Sequence, residues 1–366
     1  LTLAAAWVLG RRRIELEADR SDVPSRVREG QVVDVTLRLT ARHRATTLIV
    51  HDRLHPYLGR TVPLPLPSLR AGETADHTYR LRPALRGIYQ IGPLVAEWTD
   101  PFGLTRHRRE LADATPVIVH PSTEPVHDRV ISRAWEDPPI RPPVSKPWPT
   151  GYEFYGMRDY AYGDDPRRII WRASARATDP RTGLPRYLVR ESEQGISDQV
   201  HLVLDTGREV HDRGPVSPSF ELLVRVAGSL GTRHLGDGFS VSLDANDGPL
   251  TAPLRGRRSR IPLLDVLAGV QRGDAGLSDA IDRLVARRDA RTHHVVITPH
   301  VSSDAARGIR LLLERGTSML LVLYVTEDSD PVSLHRAGAL GCGVVELQPG
   351  TPMEKVFRQV IRAVGA

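Results

Sequence analysis

Between residues 121 and 149 the chain carries eight prolines, Pro121, Pro125, Pro138, Pro139, Pro142, Pro143, Pro147 and Pro149. Proline lacks a backbone N–H and has a fixed φ, so this density excludes a helix interior and a central strand. Residues 121–150 therefore read as a semi-rigid, extended connector. Packed structure has to form on either side of it. At 366 residues the chain is long for a single core, and two domains are the natural expectation.

On the amino-terminal side the hydrophobic period is two. Ile14, Leu16 and Ala18 alternate with Glu15 and Glu17, and Val33, Val35, Leu37 and Leu39 alternate with Asp34, Thr36, Arg38 and Thr40. That is the pattern of half-buried strands. Thr46 to Val50, Ala75 to Leu81 and Val117 to Val119 read as further strands. Turn signals at Glu29-Gly30, Pro63-Pro65-Pro67 and Ala71-Gly72 separate them. Short strands at such intervals predict an antiparallel β-sandwich over 11–120. Leu1 to Gly10 is apolar and uncharged, but a spanning helix needs about 20 residues. It reads as the end of a membrane helix, with Arg11-Arg12-Arg13 favouring the cytoplasmic side. The alternative is a buried first strand or helix of the sandwich.

After residue 150 the periods change. Gln199 to Asp205 is an apolar run ending in an acid, and Phe239 to Leu243, Val295 to Ile297, Met319 to Val325 and Gly343 to Leu347 are strand-like. Phe220 to His234, Ile261 to Val270, Leu277 to Arg287, Ala305 to Glu314 and Met353 to Val364 have helical spacing. Strands alternating with helices predict a doubly wound α/β domain over 151–366, its parallel sheet covered on both faces. Ligands of such sheets bind at the carboxyl ends of strands, and Asp205 stands at such an end.

The densest chemistry lies in Gly151 to Arg176, GYEFYGMRDYAYGDDPRRIIWRASAR. Aromatic and polar residues are too crowded there for an ordinary strand or helix, and Gly163 to Pro166 is turn chemistry. Ile169 to Ala177 is consistent with either a helix start or an extended segment. The net charge is +6, but the arginines are scattered among 44 acids. That scatter does not make the basic tract of a nucleic-acid binder. Cys342 is the only cysteine, so an intrachain disulfide and a cysteine zinc site are excluded. Between Gly341 and Gly343 it reads as a small buried residue rather than a nucleophile.

Gly151, Glu153, Phe154, Arg158, Tyr160, Gly163, Asp164, Asp165, Arg167, Ile169, Trp171, Ala175 and Arg176 form one spaced pattern. It resembles the signature of the bacterial family called domain of unknown function 58. Arg86-Gly87-x-Tyr89 and Asp100-Pro101-Phe102-Gly103-Leu104 resemble that family's second signature, so the likeness extends over most of the chain. The resemblance implies a membrane-anchored protein with a β-sandwich followed by a domain similar to the von Willebrand factor type A fold. It also implies MoxR-type AAA+ ATPases and other type A proteins as company. It implies no reaction.

In type A domains a metal site needs Asp-x-Ser-x-Ser after the first strand, which offers a divalent cation such as Mg²⁺ hard oxygen ligands. Asp205 matches, but Gly207 and Glu209 stand where the serines belong, and Arg208 adds a cation. Asp205 and Glu209 are thus weak candidates, and Asp205 capping the following turn is the stronger reading. Asp164-Asp165 has no third acid or histidine at fixed spacing, and arginines surround it. The expectation is a structural clasp, with both acids pairing to Arg158, Arg172 or Arg176 and locking the connector onto the sheet. His51 and His55 have helical zinc spacing in a β-rich region, so a surface or turn pair is expected. Neither a phosphate loop nor a nucleophile elbow is present. The sequence therefore points to a non-enzymatic scaffold at the membrane. Its partner contacts are expected from Glu153, Arg158, Tyr160, Asp164, Asp165, Arg167, Trp171 and Arg176.

Overall fold

The computed structural model describes residues 15–45, 47–100, 104–126, 154–160, 166–178, 183, 186–192, 199–287 and 292–354. Up to residue 120 the elements are strands: β1 (Leu16–Ser21), β2 (Arg26–Arg28), β3 (Val33–Ala41), β4 (Leu48–Leu54), β5 (Val62–Leu66), β6 (Thr74–Leu81), β7 (Gly87–Thr99), β8 (Arg106–Ala112) and β9 (Thr115–His120). One sheet has the order β1-β3-β6, the other β2-β9-β7-β4-β5 with β8 on β7. All pairs are antiparallel except β2 with β9. The period-two reading follows from what the faces bury. Leu37 and Leu39 of β3 meet Leu48 and Val50 of β4 and Leu94 of β7 in the space between the sheets, and Val35 packs in the neighbouring cluster with Leu54, Tyr79 and Ile91. Asp52 is an acid on the core side of β4. Arg20 holds it at 2.8 and 3.0 Å and the Tyr79 hydroxyl donates to it at 2.5 Å.

The proline run at 63–67 is not the turn its composition suggests. Pro63 and Pro65 belong to β5, which pairs with β4 through Val50↔Leu64. Prolines two apart turn their ring nitrogens the same way, and an edge strand tolerates them on its unpaired side. Leu64 and Leu66 between them face the core. His51 and His55 do not share a site: His51 lies 3.6 Å from Glu97, and His55 packs its ring on Tyr89 at 4.8 Å.

The segment thought too crowded for regular structure contains β10 (Phe154–Asp159), a 3₁₀ turn at Pro166–Arg168 and the one-turn helix α1 (Trp171–Ser174). β10 pairs with β11 (Leu188–Ser192) in a separate two-stranded sheet. Beyond it lie β12 (Gln199–Leu204), α2 (Pro218–Gly236), β13 (Ser240–Ala245), β14 (Gly248–Pro249), β15 (Leu254–Arg255), α3 (Arg260–Gly269), α4 (Leu277–Arg287), β16 (Thr292–Thr298), α5 (Ser303–Glu314), β17 (Met319–Tyr324), α6 (Pro331–Gly338) and β18 (Gly343–Leu347). Their sheet runs β14-β13-β12-β16-β17-β18. Its main strands are parallel, and β14 and β15 are antiparallel to β13.

Helix starts are set by caps. Ser217 accepts from Phe220 N ahead of Pro218, Ser302 from Ala305 N, and Asp330 from Val332 N and Ser333 N ahead of Pro331. Leu202, Leu223, Leu230, Leu263 and Leu267 form the core under α2 and α3. Val203, Ile281, Val296, Ile309 and Leu321 form the one under α4 and α5. His234 near the end of α2 and His293 of β16 are buried, and burial first holds their imidazoles down at about 4 and about 3. Cys342, just before β18, is half-buried, and burial pushes its thiol up.

Among the described residues no helix is long and apolar enough to cross a membrane. Leu1–Gly10, Arg11–Arg13, most of the connector and most of the expected last helix lie outside the described residues.

Candidate functional site

The signature segment folds as a small module that projects aromatic side chains. Ser174 is buried in it, donating to Ile170 O and accepting from Leu188 N, which ties α1 to β11. Ile170 N bonds to Leu188 O, and Tyr160 N to Tyr187 O. With the backbone so fastened, Trp171 stands 62% exposed, edge-on to Tyr187 at 6.2 Å, with Met157 and Tyr160 also exposed. Arg167, Arg172 and Arg176 of the same segment are exposed as well. Arg158 lies in β10, opposite Val189. Glu153, Asp164 and Asp165 lie outside the described residues, and with them the expected clasp. Asp159 and Arg186 do form an ion pair, with Nε to Oδ1 at 2.8 Å, which the sequence reading did not single out.

What fastens the sandwich to the α/β body is Arg86 of the Arg-Gly-x-Tyr motif. Its side chain is 3% exposed. Nη1 donates to the carbonyls of Leu267, Ala268 and Val270 at 2.6, 3.2 and 3.0 Å. These carbonyls belong to the end of α3, where the helix leaves acceptors without internal partners. The guanidinium also pairs with Glu221 of α2 at 2.8 Å and lies 5.2 Å from the Phe220 ring centroid. Burial raises the Glu221 pKa against the pull of Arg86. The motif's other residues aim the arginine. Tyr89 donates its hydroxyl to Arg86 O at 2.9 Å. A Cβ on Gly87 would come within 2.6 Å of the tyrosine ring, so only glycine lets the ring lie there.

Around this plug lie polar contacts. Asp265 takes Arg26 at 2.8 Å and His120 at 2.7 Å, and Arg225 pairs with Glu29 at 2.5 Å. The hydrogen bond from Arg26 leads in lowering the Asp265 pKa. The first connector residues continue the joint. Glu124 N donates to Ser229 Oγ, the Glu124 carboxylate accepts from Met353 N, and Val126 is buried in the core under α2. Asp100 of the second motif is tied to Thr105, just before β8, accepting from Thr105 N and Oγ1.

Asp205 follows β12, where β13 and β16 flank that strand on opposite sides. It is 1% exposed, and its carboxylate is engaged on both oxygens. Oδ1 accepts from Gly207 N at 3.0 Å and Asn246 Nδ2 at 2.6 Å, and Oδ2 from Thr298 Oγ1 at 2.6 Å. A Cβ on Gly207 would meet Asp205 Oδ1, Asn246 Nδ2 and Ala275 O at 3.2 to 3.4 Å. A serine at this position would have to push these groups back by a few tenths of an ångström. Glu209 is exposed. Among the described residues no three His, Cys, Asp or Glu side chains gather as a metal site. Asn246 Oδ1 is buried without a partner.

These features define a chain of mixed sheets in which a β-sandwich is plugged into a doubly wound α/β body that carries a small aromatic module. The chain belongs to the family described as protein of unknown function DUF58, whose model matches residues 156–338, half of the chain. The matched span opens inside β10 and does not include Arg86–Tyr89 or Asp100–Leu104. No curated protein matches. Among solved structures the chain is similar to a von Willebrand factor type A protein from Catenulispora acidiphila, at 16% identity and TM-score 0.33, covering 47% of this chain and 43% of that one. It is also similar to the CARDB domain of the PF1109 protein from Pyrococcus furiosus, solved in complex with di-metal ions, at 16% identity and TM-score 0.21, covering 29% of this chain and 93% of that one. At such scores the architecture rests on the strand order and register above.

Proposed function

We propose that this protein is a membrane-tethered interaction scaffold facing the cytoplasm, with no catalysis of its own. On this reading the α/β body is of the von Willebrand type A kind, held in a set orientation by the sandwich. The docking surface is the module built on β10, β11 and α1. Its partners are a MoxR-type AAA+ ATPase and other type A proteins, the company the family resemblance implies. The observation that carries the reading is the exposed Trp171–Tyr187 pair on a segment that also exposes Arg167, Arg172 and Arg176. Aromatic and arginine side chains dominate the energetics of protein interfaces. The module's backbone is internally bonded, so the exposure of Trp171 is not the loose end of an unfolded segment.

The test is a co-purification of the full chain with a MoxR-type AAA+ ATPase from the same organism, repeated with Trp171→Ala combined with Arg167→Ala. Loss of the complex from a variant with unchanged melting supports the assignment. A complex that persists undiminished removes the module from the docking surface.

A second reading, a type A domain that binds ligands through a divalent cation at Asp205 and Glu209, draws on the orphaned Asn246 Oδ1 beside Asp205. Against it stand the three hydrogen bonds already made to the Asp205 carboxylate. Titration with Mg²⁺ separates the two: heat and a raised melting temperature favour the cation reading.

A further inference from the structure

A parallel sheet covered on both faces is ordinarily apolar on both. The face of this sheet that carries Val203 and Val296 breaks that rule toward its β13 edge. His201 on β12 is in register with Ser242 on β13 and His294 on β16, and the two imidazoles lie 5.3 Å apart. Asp244, two residues beyond Ser242, is 2% exposed. Its Oδ1 lies 3.2 Å from His201 Nε2 and its Oδ2 3.2 Å from Arg287 at the end of α4. The edge segment with Pro249, Thr251 and Pro253 walls the space in, leaving a cleft of about 330 Å³. That volume lies within the range of small-molecule sites.

The charges and donors in the cleft are not used up by one another. Among the described residues Asp244 is the sole carboxylate of the lining, and both Arg287 and Arg283 act on it. Two guanidiniums stand against one acid. Arg287 has five N–H donors and reaches Asp244 through one terminal nitrogen, with its side chain 42% exposed to the cleft mouth. Thr251 Oγ1 already accepts from Leu243 N at 3.0 Å, so its own proton points elsewhere. Ser242 contributes another hydroxyl to the lining. The result is an excess of donors around a half-enclosed, locally positive space.

We propose that this cleft binds a small oxyanion, a carboxylate or phosphate group, held by the outward edge of Arg287 and the hydroxyls of Ser242 and Thr251. Asp244 and His201 set the position of Arg287 rather than meeting the anion. The site is separate from the aromatic module and independent of what docks there.

The test is calorimetry on the full chain with inorganic phosphate and, in a separate arm, acetate, at constant ionic strength in chloride. One of the two anions is expected to bind saturably in the millimolar range. Arg287→Gln is expected to weaken it by at least about tenfold, as loss of a charge-assisted contact does. Ser242→Ala leaves the ion pairs intact and weakens binding severalfold, which keeps the question answerable if Arg287→Gln does not fold. Arg307→Gln, on exposed α5, leaves it unchanged. Absence of saturable binding in both arms overturns the proposal. So does binding that Ser242→Ala and a folded Arg287→Gln leave intact, which would mark an ion held elsewhere on this basic chain.

Discussion

Arg86→Met deletes the guanidinium that plugs the end of α3 and keeps an apolar stem of similar length. The variant strips Glu221 of its charge partner and three carbonyls, those of Leu267, Ala268 and Val270, of their donor. Removing one member of a buried ion pair costs about 3–5 kcal/mol, because the remaining charge stays buried and unpaired. Equilibrium urea unfolding followed by tryptophan fluorescence measures the loss. A joint weakened by this much is also expected to split one transition into two, since each module then unfolds by itself. Arg86→Lys is expected to recover only part of the stability, because one ammonium cannot reach three carbonyls and a carboxylate in the same geometry. Glu221→Gln is expected to cost less than Arg86→Met. Burial already raises the Glu221 pKa, and the arginine keeps its carbonyl contacts. A change below about 1 kcal/mol for Arg86→Met, within the scatter of ordinary surface substitutions, would refute the plug and leave the joint to its peripheral ion pairs.

Other consequences can be checked in parallel. His234 and His293 are held neutral in the fold, at about 4 and about 3, whereas the unfolded chain charges them near pH 6.5, so stability falls as the pH drops from about 6.5 toward 4. The His234 share is on the order of 3 kcal/mol, and the difference in urea midpoint between pH 7 and pH 4.5 should shrink in His234→Phe. Thr298→Val takes one of three donors from the buried Asp205 carboxylate and is expected to lower stability by about 1–3 kcal/mol, read from thermal melting. Trp171→Ala, at an exposed site, should shift stability by no more than about 0.5 kcal/mol. A larger loss would mean that the ring is a packing element. Mg²⁺ titrated into the wild-type chain should give no saturable heat if the hydrogen bonds at Asp205 already occupy the place of a cation.

The elements with strong local periods were legible. Leu277, Ala280, Ile281 and Leu284 recur at helical spacing and are the buried face of α4. The alternation in β3 marks its core side residue by residue. What escaped was decided by neighbours far along the chain. Pro63 and Pro65 read as a turn because composition cannot say that one side of a strand will lack a partner. α6 buries only Ser333 and Ala337 and has too little apolar face to be seen. The Arg-Gly-x-Tyr motif was visible as a pattern, but its partners are 135 to 184 residues away, beyond any local reading. In the same way Asp205 was found by its place after β12. Its partners Asn246, just after β13, and Thr298, the last residue of β16, are brought alongside only by the sheet order. The polar face around His201 was hidden because His201, Asp244 and His294 stand on three different strands, and only their register makes them one surface.

The two prolines of β5 also determine how copies of this molecule can meet. That strand is the rim of the six-stranded sheet, and its outward side is poor in donors, so an incoming strand finds few amides with which to extend the ladder. Growth by backbone templating, the usual route from a sandwich to fibrous aggregates, is blunted at this rim. Contacts made there have to be read through side chains, which are selective, and not through main chain, which is not.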